Sequence, residues 1–282
     1  MAVGSQVYAA PFDEAASGYD RVFTNSAIGR AQRLSVWEEL AKTFHSGDQI
    51  LEIGCGTGVD ACYLAERGVR VLACDSSPKM IEVASRRFKD SLGSTLLQAQ
   101  VLAAEHVGSL RGQRRFDGAF SNFGALNCVA DLKSLAGDLA ALLRPGATAL
   151  LCWMGPFCLW ETVWYLLHGK PAKALRRLHR EGITTRVDGG IPLTVYYPSA
   201  RMLACMFAPH FSVKSIKGIG VTVPPSYLEP FASRLPRLLN VAILADRMLG
   251  RCSGIRLLAD HILIRLERES DSSGRSSSIK NE

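Results

Sequence analysis

The sequence lacks most of the signals that sort a chain at a glance. Its eight cysteines, at positions 55, 62, 74, 128, 152, 158, 205 and 252, include no CxxC pair. That removes the usual zinc spacing and leaves no metal site to expect. Several cysteines stand inside apolar runs, where the ordinary reading is a small buried thiol in a reducing compartment. No dense Lys/Arg tract reads as a nucleic-acid arm, only short clusters at 111–115 and 170–180. The longest stretch without a charge, residues 145–160, is too short to span a bilayer and is broken by Gly155-Pro156. The opening residues show no basic segment followed by an apolar one, so no secretory leader is expected. The expected location is cytoplasmic. No internal repeat is visible.

What is present suits one large domain, or one domain carrying insertions. The chain has 282 residues, 48% of them hydrophobic, enough for a sizeable core. The formal charge of +7, from 33 basic against 26 acidic residues, fits many soluble enzymes. It fits weak attraction to nucleic acid or anionic lipid equally well.

Residues 26–44 carry apolar positions at helical spacing. A short apolar strand, "GDQILEIG", follows, then a helix, "VDACYLAERG", ending at Gly68. "VRVLACD" is a second strand, and "SSPKMIEVASRRFKD" a helix that Ser76 or Ser77 can cap, with Pro78 in its first turn. "STLLQAQVLAA" and "RFDGAFSNF" read as strands three and four. "ADLKSLAGDLAALLRPG" reads as a helix stopped by Pro145-Gly146, and "ATALLCWM" as strand five. Such alternation predicts a doubly wound, mostly parallel α/β sheet. After residue 154 the rhythm fails. A helical hairpin broken at Pro171, a core helix over 199–211, a strand over 211–220, a Pro-punctuated helical stretch over 224–256 and a final strand, "DHILIRLER", are expected. The Ser-rich tail 269–282 is expected to be disordered.

The chemistry gathers at "LEIGCGTGVD", where Gly54, Gly56 and Gly58 join a strand to a helix. Asp75 closes the next strand, placed to accept hydrogen bonds from two ribose hydroxyls. This context implies a nucleotide-like ligand at the sheet's switch point. Val59 stands where the dinucleotide fingerprint needs its third glycine, and no Lys-Ser/Thr follows to make a P-loop.

"LEIGCGTGVDACYLAERG" followed by "VLACDSSPKM" resembles the first two motifs of class I S-adenosylmethionine-dependent methyltransferases of the small-molecule type. The resemblance covers roughly residues 10–154 and the final strand. It implies a Rossmann-like, seven-stranded domain over 1–268 with S-adenosylmethionine as cofactor. It implies that Glu52, Gly54, Cys55, Gly56 and Gly58 line the methionine side, that Asp75 binds the ribose, and that Ser76 and Met80 flank the adenine. The family's next acidic residue corresponds to Ala104, with Glu105 beside it, so backbone at Ala104 or the Glu105 side chain would stand in. Ser121, Asn122 and Phe123 end strand four, where the methyl donor should point, and Asn127 would face the substrate or hold its own loop. Tyr19, in "FDEAASGYD", resembles the segment that closes over the cofactor.

No base stands out. Glu161, His168 and Tyr197 are candidates for the catalytic group, and Tyr196, His179, His210 and His261 lie in the same half of the chain. Apolar insertions at about 155–195 and 224–256 predict a lid over the donor and a small, hydrophobic or lipid-like acceptor. The mixture "KPAKALRRLHR" also suits weak contact with a membrane surface, or a solvent-facing helix. Nucleic acid is not the expected partner. RNA or protein methyl transfer and non-catalytic cofactor binding are the alternatives. Oligomeric state, acceptor atom and pathway are not legible.

Overall fold

The computed structural model describes residues 10–113 and 115–270. The tail expectation therefore falls, from 271 on, outside the described residues. Seven strands form the main sheet: β1 (Gln49–Ile53), β2 (Arg70–Asp75), β3 (Leu97–Val101), β4 (Phe116–Ser121), β5 (Leu143–Met154), β8 (Phe211–Ile219) and β9 (His261–Arg268). A two-stranded ribbon, β6 (Ile183–Thr185) with β7 (Leu193–Val195), stands apart. The sheet order is β3-β2-β1-β4-β5-β9-β8, and β9 alone runs against its neighbours. Strands buried on both faces need near-continuous apolar runs, which "QILEI" and "RVLACD" supply.

Helices α1 (Ala27–Thr43), α2 (Val59–Ala65) and α3 (Pro78–Asp90) pack on one face, through Leu40, Leu64 and Phe88 among others. Helices α4 (Leu132–Leu142) and α7 (Ala200–Phe207) pack on the other, where Phe207 meets Trp153 edge-on. The caps are local and legible. Ser77 Oγ accepts from Met80 N at 3.1 Å, with Pro78 opening α3, and Asp131 caps α4 through Ser134 N at 3.0 Å. The start of α1 is capped twice. Ser26 Oγ accepts from Gly29 N, while the distant Glu229 carboxylate accepts from Ala27 N at 2.7 Å and Ile28 N at 2.9 Å.

Several boundaries differ from the sequence reading. Strand three begins at Leu97 after a 3₁₀ turn, and another 3₁₀ turn occupies Ala104–Leu110. Strand β5 starts at Leu143, because Leu143 already pairs with Phe116; Pro145-Gly146 sits in an irregular stretch of that pairing instead of ending it. The expected hairpin of helices after β5 is α5 (Leu159–Leu167), a single-turn α6 (Pro171–Ala174), a 3₁₀ turn and the β6–β7 ribbon. Asp188-Gly189 between two Thr-rich runs is the ribbon's turn signal. Both insertions leave the sheet at carboxyl ends, one after Met154 of β5 and one after Ile219 of β8. The second holds α8 (Glu229–Ala232) and α9 (Pro236–Leu249). They meet through Trp164 on Phe231 and through Trp160 Nε1 donating to Val221 O at 3.1 Å. Among the described residues, no helix is long and apolar enough to cross a membrane.

Candidate active site

The three glycines of the loop all have left-handed φ, but they do different work. A Cβ on Gly54 would meet Ala125 at 2.2 Å, and one on Gly58 would meet the Phe88 ring at 2.5 Å. These two glycines let protein pack on protein. A Cβ on Gly56, at φ 52°, would meet nothing within 4 Å. The backbone is bare there, and the space beside it is open.

The loop is strapped to β2. Gly54 N and Cys55 N both donate to Cys74 O, at 2.8 and 2.9 Å. Asp75 Oδ2 accepts from Gly56 N at 2.8 Å and its Oδ1 accepts from Ser77 N at 2.9 Å. Burial pushes the Asp75 carboxyl up, against the pull of those amides. Each oxygen keeps a second lone pair for a ligand hydroxyl.

Glu52, at the end of β1, is 1% exposed, and among the described residues its Oε2 has no hydrogen-bond partner. Burial, and next the Asp60 carboxylate, push this carboxyl well above its usual value, with Arg33 opposing. Ser121, ending β4, is equally buried, and its Oγ is also unpartnered. Orphaned buried oxygens need an explanation, and a ligand supplies one where they meet at an open edge. Two of them stand at adjacent strand ends beside the open Gly56. A nucleoside with a cationic amino-acid side arm fits such a donor set, so the residues present fit S-adenosylmethionine.

A cluster that the sequence did not reveal supports this edge. Asp60 Oδ1 accepts from Arg33 at 2.6 Å and from Trp37 Nε1 at 2.7 Å, while its Oδ2 accepts from Asn122 at 3.0 Å. Asn122 is thus a buried brace more than a free rim group. Phe123 has φ 47°, a left-handed conformation rare outside glycine. Its ring lies 4.9 Å from the Arg33 guanidinium and 4.9 Å from Phe23, and packs edge-on against His261 at 5.7 Å.

Residues 10–24 lie over the loop. Asp20 accepts from Thr57 Oγ1 at 2.7 Å and pairs with Arg87. Asp13 accepts from Ser77 Oγ at 2.5 Å. Tyr19 packs in this segment, and burial raises its phenol to about 12. Met80 is buried against Ala15 and Ala16 of the same segment. Ser76 is exposed; Ser77, not Ser76, caps α3. Ala104 opens its 3₁₀ turn half-buried, and Glu105 beside it is exposed.

The catalytic candidates fare differently. Glu161 is 1% exposed and gripped by Arg176 at 2.7 Å and Arg177 at 2.8 Å, so it is an anchor and no free base. His168 is exposed and bonded to Trp164 O. The Tyr197 ring sits 5.5 Å from the Arg177 guanidinium, and burial raises its phenol. Asn127 is a clamp: its side chain bonds Met154 N, Met154 O and Tyr196 O. His179 and His210 are exposed. His261 is buried beside Phe123, with Nδ1 3.3 Å from Asp260. Burial alone would raise Asp260, but His261 and Arg177 hold it well below the usual carboxylate range. Nothing in the local sequence singled out this pair, because Asp260-His261 opens an otherwise plain strand.

Comparison with known proteins agrees with this geometry. Residues 50–146 match the family model of the methyltransferase domain. A demethylmenaquinone methyltransferase from Clavibacter sepedonicus is 32% identical over 51% of this chain and 56% of its own length. A malonyl-[acyl-carrier protein] O-methyltransferase from Serratia marcescens is 29% identical over 78% of this chain and 80% of its own. A tRNA 5-carboxymethoxyuridine methyltransferase from Escherichia coli is 30% identical over 50% and 54%. The chain spans under two-thirds of the length of the first three curated relatives it matches. Among solved structures, an S-adenosylmethionine-dependent methyltransferase from Mesorhizobium loti has the same fold, with TM-score 0.53, 16% identity, and coverage of 83% of this chain and 98% of its own. With its glycine loop, its acidic end to β2, its strand order and these likenesses, the chain has the fold of the class I S-adenosylmethionine-dependent methyltransferases and, over residues 50–146, matches their domain.

Proposed function

We infer that the protein transfers the methyl group of S-adenosylmethionine to a small, hydrophobic or lipid-like acceptor. One observation carries the reading: both apolar insertions leave the sheet at the carboxyl edge, where the glycine loop and Asp75 also stand. Their Trp, Phe and Leu side chains suit a water-poor pocket. The demethylmenaquinone relative supports an acceptor of this kind. Such an acceptor partitions into bilayers, so work beside a membrane is part of the reading.

In this reading Asp75 holds the ribose. Gly54, Cys55 and Gly56 present backbone to the methionine arm, and Glu52 faces its charge. The cofactor supplies an electrophilic methyl; the chain supplies alignment and dryness. His261 is the base. Its ring packs against Phe123 at this edge, and Asp260 sits 3.3 Å from Nδ1. The acceptor's proton would pass to Nε2, and the cofactor, when bound, would supply the methyl group as electrophile. An RNA acceptor is the second reading, favoured by the tRNA relative.

Labelled S-adenosylmethionine incubated with demethylmenaquinol in detergent, with malonyl-acyl-carrier protein and with bulk tRNA tests this directly. Label in the quinol is expected. Label in tRNA alone rejects the apolar acceptor. His261→Gln should slow transfer by roughly 100-fold without changing cofactor affinity.

A further inference from the structure

The outward face of the insertions is unusual for a solvated surface. On α9, Leu238, Val241, Leu244 and Met248 recur at spacings of three and four, and each is more than half exposed. Phe231 and Leu235 extend this stripe toward α8. Across the junction α5 exposes Trp160, Val163, Leu166 and Leu167. A groove of about 310 Å³ runs between the two, lined by Trp160, Phe231, Leu238 and Ala242. Apolar surface this continuous marks a binding face in a protein that stays in solution.

Charge says what covers it. Residues 155–180 hold one acid, Glu161, and residues 224–256 hold two, Glu229 and Asp246. All three point inward. Glu161 is locked by two arginines. Asp246 is buried, accepting from Gly220 N, Val221 N and Thr222 N. Glu229 caps α1. The cations point the other way: Lys170, Lys173, Arg180, Arg234 and Arg237 are all exposed. Glu181, just past Arg180, is the first exposed acid. Arg234 and Arg237 stand within the apolar stripe itself and make no ion pair among the described residues. An apolar stripe with interleaved cations and inward-turned acids complements an anionic bilayer surface, in which the alkyl groups enter and the cations meet headgroups. Nucleic acid would match the cations but not the stripe.

We propose that the face built by α5, α8 and α9 docks the protein on an anionic lipid surface. The proposal rests on the apolar-acceptor reading for its purpose, since it would set the carboxyl edge of the sheet beside the bilayer. It differs from the sequence expectation, which placed membrane contact on the basic stretch near 170–180; here the second insertion carries the larger share.

The test is vesicle co-sedimentation of the full chain. One set of vesicles is phosphatidylcholine with roughly 30% phosphatidylglycerol, the other pure phosphatidylcholine. The expected result is binding to the anionic vesicles, weaker binding to the neutral ones, and loss with added salt. Leu238→Glu/Val241→Glu/Leu244→Glu should weaken binding at least tenfold, at unchanged affinity for S-adenosylmethionine. Arg234→Gln/Arg237→Gln should weaken it about fivefold per residue, roughly 25-fold together. The proposal is overturned by a wild-type protein that binds cofactor yet ignores both vesicles. It is also overturned by a triple variant that binds vesicles like wild type, or by a dimer in light scattering that the same substitutions dissociate while vesicles are ignored. The acceptor reading fails separately, in the labelling assay, and vesicle binding does not depend on that assay.

Discussion

Buried carboxylates at the carboxyl edge of the sheet meet two fates. Glu161 and Asp260, in the insertion half, are paired: Arg176 and Arg177 take the first, Arg177 and His261 crowd the second. Glu52, in the glycine-loop half, keeps an unpartnered oxygen. A paired charge fixes a structure, because its strong partners are already in place. An unsatisfied buried carboxyl keeps binding capacity, because a ligand that completes it recovers the desolvation already spent. The first arrangement holds an insertion against the sheet; the second leaves a place for something to arrive.

The contrast predicts unequal consequences. Arg177→Ala should be the most damaging change, since it takes a buried partner from two buried carboxylates at once. Denaturant unfolding should show a loss of roughly 3–5 kcal/mol, whereas cofactor binding by whatever remains folded should stay close to normal. A loss under about 1 kcal/mol would mean that the cluster is solvated, and the comparison would collapse.

Asp75→Ala should act in the reverse sense. Calorimetry with S-adenosylmethionine should show affinity falling by about 2 kcal/mol, some thirtyfold. Asp75→Asn, which keeps the acceptor for Gly56 N, separates ribose binding from the strapping of the loop. Unchanged affinity in a folded Asp75→Ala protein would remove Asp75 from the site.

Glu52 gives a pH test of its own. Its folded pKa is raised, so the folded protein keeps a proton that the unfolded chain sheds as pH passes the usual carboxylate range. Stability from this group is therefore full below that range and declines as pH rises toward the folded value. Glu52→Gln should remove the decline and raise stability at neutral pH by about 1 kcal/mol or more. Cofactor binding to wild type should release a proton, seen as a dependence of binding enthalpy on buffer ionisation, and the variant should lose it. A Tm that tracks pH identically in both proteins would show that Glu52 does not titrate as described.

The smallest expected effect joins the two halves. Glu229, in the second insertion, caps α1 of the core. Glu229→Ala should cost about 1 kcal/mol of stability. Hydrogen exchange should quicken at Ala27 and Ile28 and little elsewhere.

Legibility divides along the same line. "QILEIGCGTGVD" and "VLACD" announce a strand, a glycine turn and an acidic strand end, and each is where the sequence predicts it. These features are local, since the φ of Gly54, Gly56 and Gly58 and the burial of "QILEI" depend on near neighbours. Asp60 could not be read. It looks like an ordinary first-turn acid of α2 until Arg33, Trp37 and Asn122 arrive from three other elements. Glu161 stays open in the sequence for the same reason: an acid in an apolar helix can be a base, a polar anchor or a solvent-facing residue, and Arg176 and Arg177 make it an anchor. The β6–β7 ribbon carries no expectation in the sequence although Asp188-Gly189 marks its turn, because strands of three residues are too short to show an alternating period.

By itself, then, the sequence determined the alternating strands and helices, the left-handed glycine turn and the acid that straps it, because apolar period, steric freedom at glycine and caps such as Ser77 act over a few residues. Tertiary structure decided which buried carboxylates are paired and which stay open, how His261 comes to stand beside Asp260 and Phe123, and which side of α9 faces outward. Those outcomes depend on groups separated by tens to hundreds of residues in the chain, and pairing or desolvating a charge is a property of everything packed around it.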